Sequence, residues 1–141
     1  MKLINKYKSA NFGLRKSKSI KFIIIHYTAL KNCKEAITYL CDRKNNVSSH
    51  FLISQNGEIF SLVNEKKRAW HAGVAFWDGY TDINSLSIGI ELDFSNFKTN
   101  NKYSNKLIIS LKFLLNYLIL KYKISTNNVL GHSDVSPLRK I

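Results

Sequence analysis

The stretch that decides the fold lies at residues 20–28 and reads IKFIIIHYT. Seven of its nine residues are β-branched or aromatic, and such side chains fit a pleated strand better than a helix. Apolar side chains fill both alternating faces of the run, which is typical of a strand that is buried on both sides. We therefore predict a central strand here, in a sheet that is covered on both faces.

The segments around this strand also carry readable patterns. Residues 1–19 are basic and polar with little periodicity, which predicts a surface arm. Residues 34–44 have apolar residues at helical spacing, and Asn32 can cap that helix. Two strand-like runs at 49–54 and 58–63 are joined through an Asn-Gly pair, which predicts an antiparallel hairpin.

The second half of the chain continues the alternation of strands and helices. Residues 64–84 are irregular and rich in Trp, Tyr, His and Gly, as loops that carry functional residues often are. A strand is predicted at 86–94, a long helix at 102–123 and a final short strand at 127–132. This order predicts an α/β fold with a central mixed β-sheet flanked by helices.

Length and charge limit the classes of protein to consider. The 141 residues suit a single domain, 1–141, and 45% apolar with 22% charged residues is the balance of a globular protein. The formal charge of +13 favours an anionic partner, but the lysines are scattered over nearly every segment rather than grouped in one patch. We therefore expect no nucleic-acid binding; that alternative predicts salt-sensitive affinity for DNA.

The cysteines and the termini bear on the compartment. Cys33 and Cys41 fall eight positions apart in one predicted helix, about 12 Å, which is too far for a disulfide. Two free thiols favour a reducing compartment, so we expect a cytoplasmic protein. The alternative is a periplasmic or secreted protein whose signal segment has been removed. The sequence shows neither a signal peptide nor a transmembrane segment, and we expect a monomer.

Two histidines suggest a metal site. His26 is the polar residue at the end of an apolar strand face, and His132 also ends a strand-like run. If both strands belong to one sheet, the two imidazoles can converge on one ion, and histidine is the commonest metal ligand. The alternative for His26, a structural histidine satisfied by hydrogen bonds, stays open.

Glu91 is unusual for its position inside an apolar strand. Residues 88, 90 and 92 take one face of that strand, whereas Ser87, Gly89 and Glu91 take the other. A carboxylate there is costly unless it is paired or catalytic, and Gly89 leaves room beside it for a ligand. An edge-strand glutamate that points into water is the alternative.

The chain closely resembles the zinc-dependent N-acetylmuramoyl-L-alanine amidases of the type 2 class. This family includes bacterial muropeptide amidases, phage amidase lysozymes and peptidoglycan recognition proteins. Five motifs occur in the family's order and together span residues 25–140. They are IHYTA at 25–29, VSSHFLI at 47–53, RAWHAG at 68–73, Asn84 with SIGIEL at 87–92, and GHSD at 131–134 followed by PLRK at 137–140.

The resemblance implies a role for individual residues. His26 and His132 are similar to two of the three zinc ligands, and Glu91 matches the catalytic carboxylate. Lys140 is similar in position to the cation that stabilises the oxyanion. His50 is expected to be an orienting or structural histidine. The residues implied in substrate binding are Tyr27, Arg68, Trp70, His71 and Asn84, with Trp70 and His71 as walls of the groove and Asn84 holding the loop or the stem peptide.

The sequence departs from the family at two positions. Relatives that cut muropeptides with an acidic third residue often carry an arginine where this chain has Asp82, so Arg68 is a candidate replacement. The third zinc ligand, an Asp or Cys, falls in the closest relatives just past Ile141. We therefore expect the C-terminal end to be truncated and this chain to hold zinc poorly, with activity in question.

The resemblance implies hydrolysis of the amide bond between N-acetylmuramic acid and L-alanine in peptidoglycan or muropeptides, during cell-wall turnover in bacteria. The expected cofactor is Zn²⁺, and the expected partners are peptidoglycan fragments. The alternative is a non-catalytic module that binds peptidoglycan without cutting it. Presence of His26, Glu91, His132 and Lys140 favours the enzyme.

Overall fold

The computed structural model describes residues 2–95 and 102–136. Strands and short or long helices alternate through these residues. In chain order they are β1 (Leu3–Ile4), β2 (Phe12–Leu14), β3 (Phe22–Tyr27), α1 (Cys33–Cys41), β4 (Phe51–Ile53), β5 (Ile59–Ser61), β6 (Lys67–Ala69), α2 (Ile83–Leu86), β7 (Ser87–Leu92), α3 (Asn105–Tyr122), β8 (Val129–Gly131) and α4 (His132–Val135).

Six of these strands form one mixed sheet in the order β1-β5-β4-β7-β3-β8. Strand β3 lies between β7 and β8 and runs parallel to both, and β7 is also parallel to β4. Strands β4 and β5 are antiparallel, as the Asn-Gly turn predicts. The predicted α/β fold with a central mixed sheet is therefore confirmed.

One face of the sheet packs against α3. Side chains that alternate along β3 and β7, such as Ile23, Ile88 and Ile90, are fully buried there against Leu107 and Leu114 of the helix. Leu107, Leu114 and Leu118 recur at the three- to four-residue spacing that places them on one side of a helix. This face is apolar.

The opposite face carries the other alternating side chains. On β3 these are Phe22, Ile24 and His26, of which the first two pack against residues of the segment 72–86 and of α4. Helix α1 covers β4 and β5 through Leu52 and Phe60. His26 and Glu91 belong to strands between these two coverings, and both are buried.

The predicted surface arm contains two short strands. Strand β1 adds to the edge of the main sheet, and β2 pairs with β6 in a separate two-stranded sheet. Arg15 fixes the arm further, because its guanidinium donates to the backbone oxygens of Glu65, Asn84 and Ser85. The arm is thus an integral part of the fold.

Local signals place the helix starts. Asn32 accepts a hydrogen bond from the Glu35 amide at 2.9 Å and caps α1, as predicted.

Cys33 and Cys41 are free thiols. In residues 2–95 and 102–136, no helix is both long enough and apolar enough to cross a membrane.

Candidate active site

The strand pairing brings the two predicted metal-binding histidines together. His26 is the penultimate residue of β3, and the neighbouring β8 is followed at once by His132, the first residue of α4. The ring Nδ1 atoms of the two histidines lie 3.0 Å apart. The chain thus unites side chains that are 106 positions apart in the sequence.

Hydrogen bonding defines which nitrogen of His132 carries the proton. Its Nε2 lies 3.1 Å from the backbone oxygen of Ala72. A carbonyl oxygen can only accept, so Nε2 donates, and in the neutral ring the lone pair is on Nδ1. His132 therefore directs an electron-pair donor toward His26.

His71 occupies the other side of the His26 ring. The Nδ1 atom of His71 lies 2.9 Å from Nε2 of His26, and its Nε2 atom lies 3.0 Å from the Ser87 hydroxyl. His71 is only 6% exposed, and burial lowers its pKa well below the ordinary value, with the neighbouring His26 adding to the effect. The ring is therefore neutral.

His71, for which the resemblance implies a wall of the substrate groove, is a buried residue. Its ring lies behind His26 and packs on Gly89 of β7. A Cβ atom at Gly89 would lie 2.5 Å from Cγ of His71. The room beside Glu91 that the sequence assigned to a ligand is filled by this ring.

The spacing of the two facing nitrogens suits a zinc ion. Two nitrogen ligands at about 2.0 Å on a tetrahedral ion are about 3.3 Å apart, close to the 3.0 Å between the Nδ1 atoms of His26 and His132. Two imidazole nitrogens at this spacing are suited to a shared cation when neither of them carries a proton. Within the described ranges no group of three or more His, Cys, Asp or Glu could hold a metal.

Glu91 lies beside this pair. It is directly opposite His26 in the pairing of β7 with β3, and its Oε2 atom lies 3.8 Å from Nδ1 of His26. The residue is 9% exposed, so a carboxylate with little access to water borders the two nitrogens. A carboxylate, two imidazole donors and a partly open edge form a site that can position and deprotonate a water molecule.

The model of the N-acetylmuramoyl-L-alanine amidase family matches residues 16–141. The chain belongs to this family. It is 43% identical over 96 residues to the 1,6-anhydro-N-acetylmuramyl-L-alanine amidase AmpD of Haemophilus influenzae, which covers 67% of this chain and 50% of that protein. Identity to the N-acetylmuramoyl-L-alanine amidase AmiD of Escherichia coli is 36% over 134 residues, or 86% of this chain and 48% of AmiD.

A solved structure of AmiD from Escherichia coli holds the substrate anhydro-N-acetylmuramic acid-L-Ala-D-γ-Glu-L-Lys. The fold of this chain matches it with a TM-score of 0.77 at 34% identity, over 89% of this chain and 55% of that one. The chain spans about half the length of the curated relatives it matches. The comparison therefore establishes the amidase fold and family.

His50 in this family member lies in the interior and is fully buried. The amide of Gly89 donates to its Nδ1 at 3.0 Å, and its Nε2 donates to the Lys67 oxygen at 2.8 Å. The pKa of His50 is lowered to about 3, mainly by burial; the hydrogen bond to Lys67 acts against this lowering, and the nearby Arg15 guanidinium adds to it. This histidine ties β7 to the segment that follows β5.

Arg68 and Asp82 contact each other. Arg68 Nη2 lies 2.9 Å from Asp82 Oδ1, and its Nε also donates to the Ser85 hydroxyl. Burial raises the pKa of Asp82, but the hydrogen bonds from Ser85 and Arg68 outweigh this and leave it below its ordinary value. Arg68 therefore forms an ion pair with Asp82 of its own chain. Asp82 is the residue that stands where relatives often have an arginine.

Asn84 holds the loop that carries His71. Its Oδ1 accepts from the backbone amides of both His71 and Ala72, at 3.1 and 2.8 Å. The resemblance left two roles open for Asn84, holding the loop or holding the stem peptide. These two contacts are the ones that hold the loop. The side chain is 7% exposed, and its buried oxygen is fully used.

The remaining predicted residues are at the periphery or beyond the described chain. Trp70 and Tyr27 are half-buried, and the Tyr27 ring packs edge-on against Phe94 with centroids 6.0 Å apart. Lys140 lies outside the described residues. The sequence patterns did not predict that His71 contacts His26 or that Ser87 contacts His71. A glycine inside a strand, here Gly89, is the sequence signal for such a close approach of a neighbouring group.

Proposed function

We propose that this chain forms the catalytic domain of a zinc-dependent amidase. Its reaction is hydrolysis of the amide bond between N-acetylmuramic acid and L-alanine in muropeptides, as part of cell-wall turnover. The family match over residues 16–141 supports this reaction, as do the names of the relatives AmpD and AmiD. The substrate held by AmiD identifies the compound to test first.

The observation that carries the proposal is the pair of Nδ1 atoms, from His26 and His132, 3.0 Å apart. Nε2 of His132 donates to the Ala72 oxygen, so in the neutral ring its Nδ1 lone pair is directed toward His26. Zinc would be held by these two nitrogens, and the third protein ligand stays the expectation from the resemblance, an Asp or Cys past Ile141. Zinc, when bound, supplies a Lewis acid that polarises a carbonyl and makes water more acidic.

The chain's own residues complete the chemistry. Glu91, with Oε2 3.8 Å from Nδ1 of His26, is positioned to take a proton from the attacking water and return it to the leaving amine. Lys140 stays the predicted cation for the oxyanion. The formal charge of +13 favours approach of an acidic muropeptide. The two free thiols suit a reducing compartment, so we place the enzyme in the cytoplasm.

The test measures metal and reaction separately. The purified protein is equilibrated with zinc and dialysed, the bound metal is counted by elemental mass spectrometry, and anhydro-N-acetylmuramic acid-L-Ala-D-γ-Glu-L-Lys is added. We expect about one zinc per chain and release of the intact tripeptide from a version extended past Ile141, whereas the 141-residue chain should hold zinc poorly. Glu91→Gln should retain zinc and lose about 10²- to 10⁴-fold in rate, as expected for a general base.

Glu35→Gln is the matched control, because Glu35 is an exposed glutamate in the first turn of α1 and the chemical change is the same. A zinc-loaded protein that binds the muropeptide but leaves it intact would overturn the enzyme and identify a peptidoglycan-binding module. Cleavage that survives both zinc removal and Glu91→Gln would also contradict the proposal.

A further inference from the structure

A chain of hydrogen bonds runs into the interior from Nε2 of His26, the ring nitrogen that faces away from His132. His26 Nε2 contacts His71 Nδ1 at 2.9 Å, and His71 Nε2 contacts the Ser87 hydroxyl at 3.0 Å. The Ser87 hydroxyl in turn lies 2.7 Å from the backbone oxygen of Ile83. Both His71 and Ser87 are buried, at 6% and 0% exposure.

The last bond of this chain fixes the direction of all the others. The Ile83 oxygen only accepts, so the single proton of the Ser87 hydroxyl is donated to it. Toward His71 the serine oxygen can therefore only accept, and Nε2 of His71 must carry a proton. In the neutral ring Nδ1 of His71 is then an acceptor, and it takes a hydrogen bond from Nε2 of His26.

We propose that His71, oriented by Ser87, is a positioning residue that holds His26 in the tautomer whose Nδ1 lone pair faces the metal position. The inference rests on the zinc site proposed above. Metal-binding histidines commonly donate their second N–H to a buried acceptor, which sets both the tautomer and the ring orientation. Here the acceptor is a second histidine, His71. Its tautomer is set, through the Ser87 hydroxyl, by the backbone oxygen of Ile83 in α2.

The packing around His71 leaves its ring little freedom. A Cβ at Gly89 would lie 2.5 to 2.8 Å from Cγ, Cδ2 and Nδ1 of the ring, so the imidazole rests directly on the β7 backbone. On its loop side, Asn84 accepts from the His71 amide. The ring therefore stays in the orientation that joins His26 to Ser87.

The first experiment needs no substitution. Nitrogen-15 NMR of the metal-free protein, above the ordinary histidine pKa of about 6.5, reports which ring nitrogen of each histidine is protonated. We expect the Nε2–H form for both His26 and His71. Detection of His26 in the Nδ1–H form would overturn the inference, whatever the protein does with zinc.

The second experiment removes the serine hydroxyl. In Ser87→Ala, Nε2 of His71 loses its acceptor, so His71 can place its proton on Nδ1 and donate to His26. We expect the Nδ1–H form of His26 to appear in the spectrum and zinc affinity, measured by competition with a chelator, to fall about 10- to 100-fold. Ser87→Thr keeps the hydroxyl and should restore both.

Ser49→Ala is the matched control. Ser49 is also fully buried, and its hydroxyl also donates to a backbone oxygen, that of Phe51, at 3.0 Å. If Ser49→Ala lowers zinc affinity as much as Ser87→Ala, or if Ser87→Ala changes neither tautomer nor affinity, the positioning role is refuted. An otherwise unsubstituted protein, extended past Ile141, that has the expected tautomers but binds no zinc would instead refute the proposed function, so the two failures are distinguishable.

Discussion

The two faces of the central sheet are built from the same strands but are stabilised by different kinds of contact. On β7, Ile88 and Ile90 point toward α3, whereas Ser87, Gly89 and Glu91 point toward the site. The α3 face is held by apolar packing. The site face is held by directional contacts among three buried histidines, with Arg15 beside them. We infer that substitutions on the first face change stability alone, and substitutions on the second change stability and ligand orientation together.

Leu114→Ala should give the largest change and tests the α3 face. Leu114 is fully buried, so removing its side chain leaves a cavity and should lower the free energy of unfolding by about 2–5 kcal/mol. Urea denaturation measures the loss, and the affinity of the folded protein for zinc should not change. Leu120→Ala, at an 80% exposed position of the same helix, is the control. A weakened zinc affinity in Leu114→Ala would break the separation between the faces.

Gly89→Ala tests the site face. The new methyl group must displace the His71 ring, so we expect a loss of about 1–3 kcal/mol in the free energy of unfolding, and a weaker zinc affinity as well. Gly13→Ala is the matched control, because a Cβ there meets only Nε1 of Trp70 at 3.9 Å. Unchanged zinc affinity in a folded Gly89→Ala protein would show that the ring position is not coupled to the metal.

Acid should destabilise the protein through the site face. The folded-state pKa of His50 is about 3, whereas the unfolded chain takes up this proton near the ordinary value of 6.5. Between these values the unfolded state binds more protons, so the free energy of unfolding decreases as pH falls, by about 1.4 kcal/mol per pH unit for one histidine. His71, whose pKa is also lowered by burial, adds to the slope.

Urea denaturation at a series of pH values measures how the free energy of unfolding changes with pH. His50→Gln should reduce this slope by the contribution of one histidine, about 1.4 kcal/mol per pH unit. Where that variant does not fold, NMR titration of His50 in the native protein gives the same information. A His50 that titrates in the folded state near its ordinary pKa would contradict the buried, neutral ring.

Ser104→Ala should give the smallest change, again through α3. The Ser104 hydroxyl accepts from the Leu107 amide at 3.0 Å and caps the helix, so its loss should lower the free energy of unfolding by about 1 kcal/mol. Ser19→Ala, at an exposed position, should be neutral in the same denaturation assay. A Ser104→Ala protein with altered zinc binding would indicate that the two faces communicate through the helix.

Periodicity predicted the elements of the α3 face well. The run at residues 20–28 contains β3, and the leucine spacing of residues 102–123 contains α3, because both patterns follow directly from which side chains meet the core. The alternation of residues along β7 also predicted its apolar face and its polar face. Convergence of His26 and His132 followed once both strands were placed in one sheet.

The remainder depends on long-range contacts that no local pattern contains. The pairing of β2 with β6 joins two three-residue strands more than 50 positions apart, and neither has a clear alternation. His71 lies in an irregular segment, so its place behind His26 is decided by Asn84 and Gly89 and not by periodicity. For the same reason Arg68, expected at the substrate, was found with Asp82.

The dipeptide formed by His71 and Ala72 touches both histidines of the site. The ring of His71 contacts His26, the carbonyl of Ala72 contacts His132, and the Asn84 oxygen holds both amides. We therefore expect a substitution at Asn84 to change the spacing between the two nitrogens, although its Oδ1 bonds to neither ring. In the proposed zinc site, Asn84 is thus a starting point for adjusting the pocket to a larger or smaller ion.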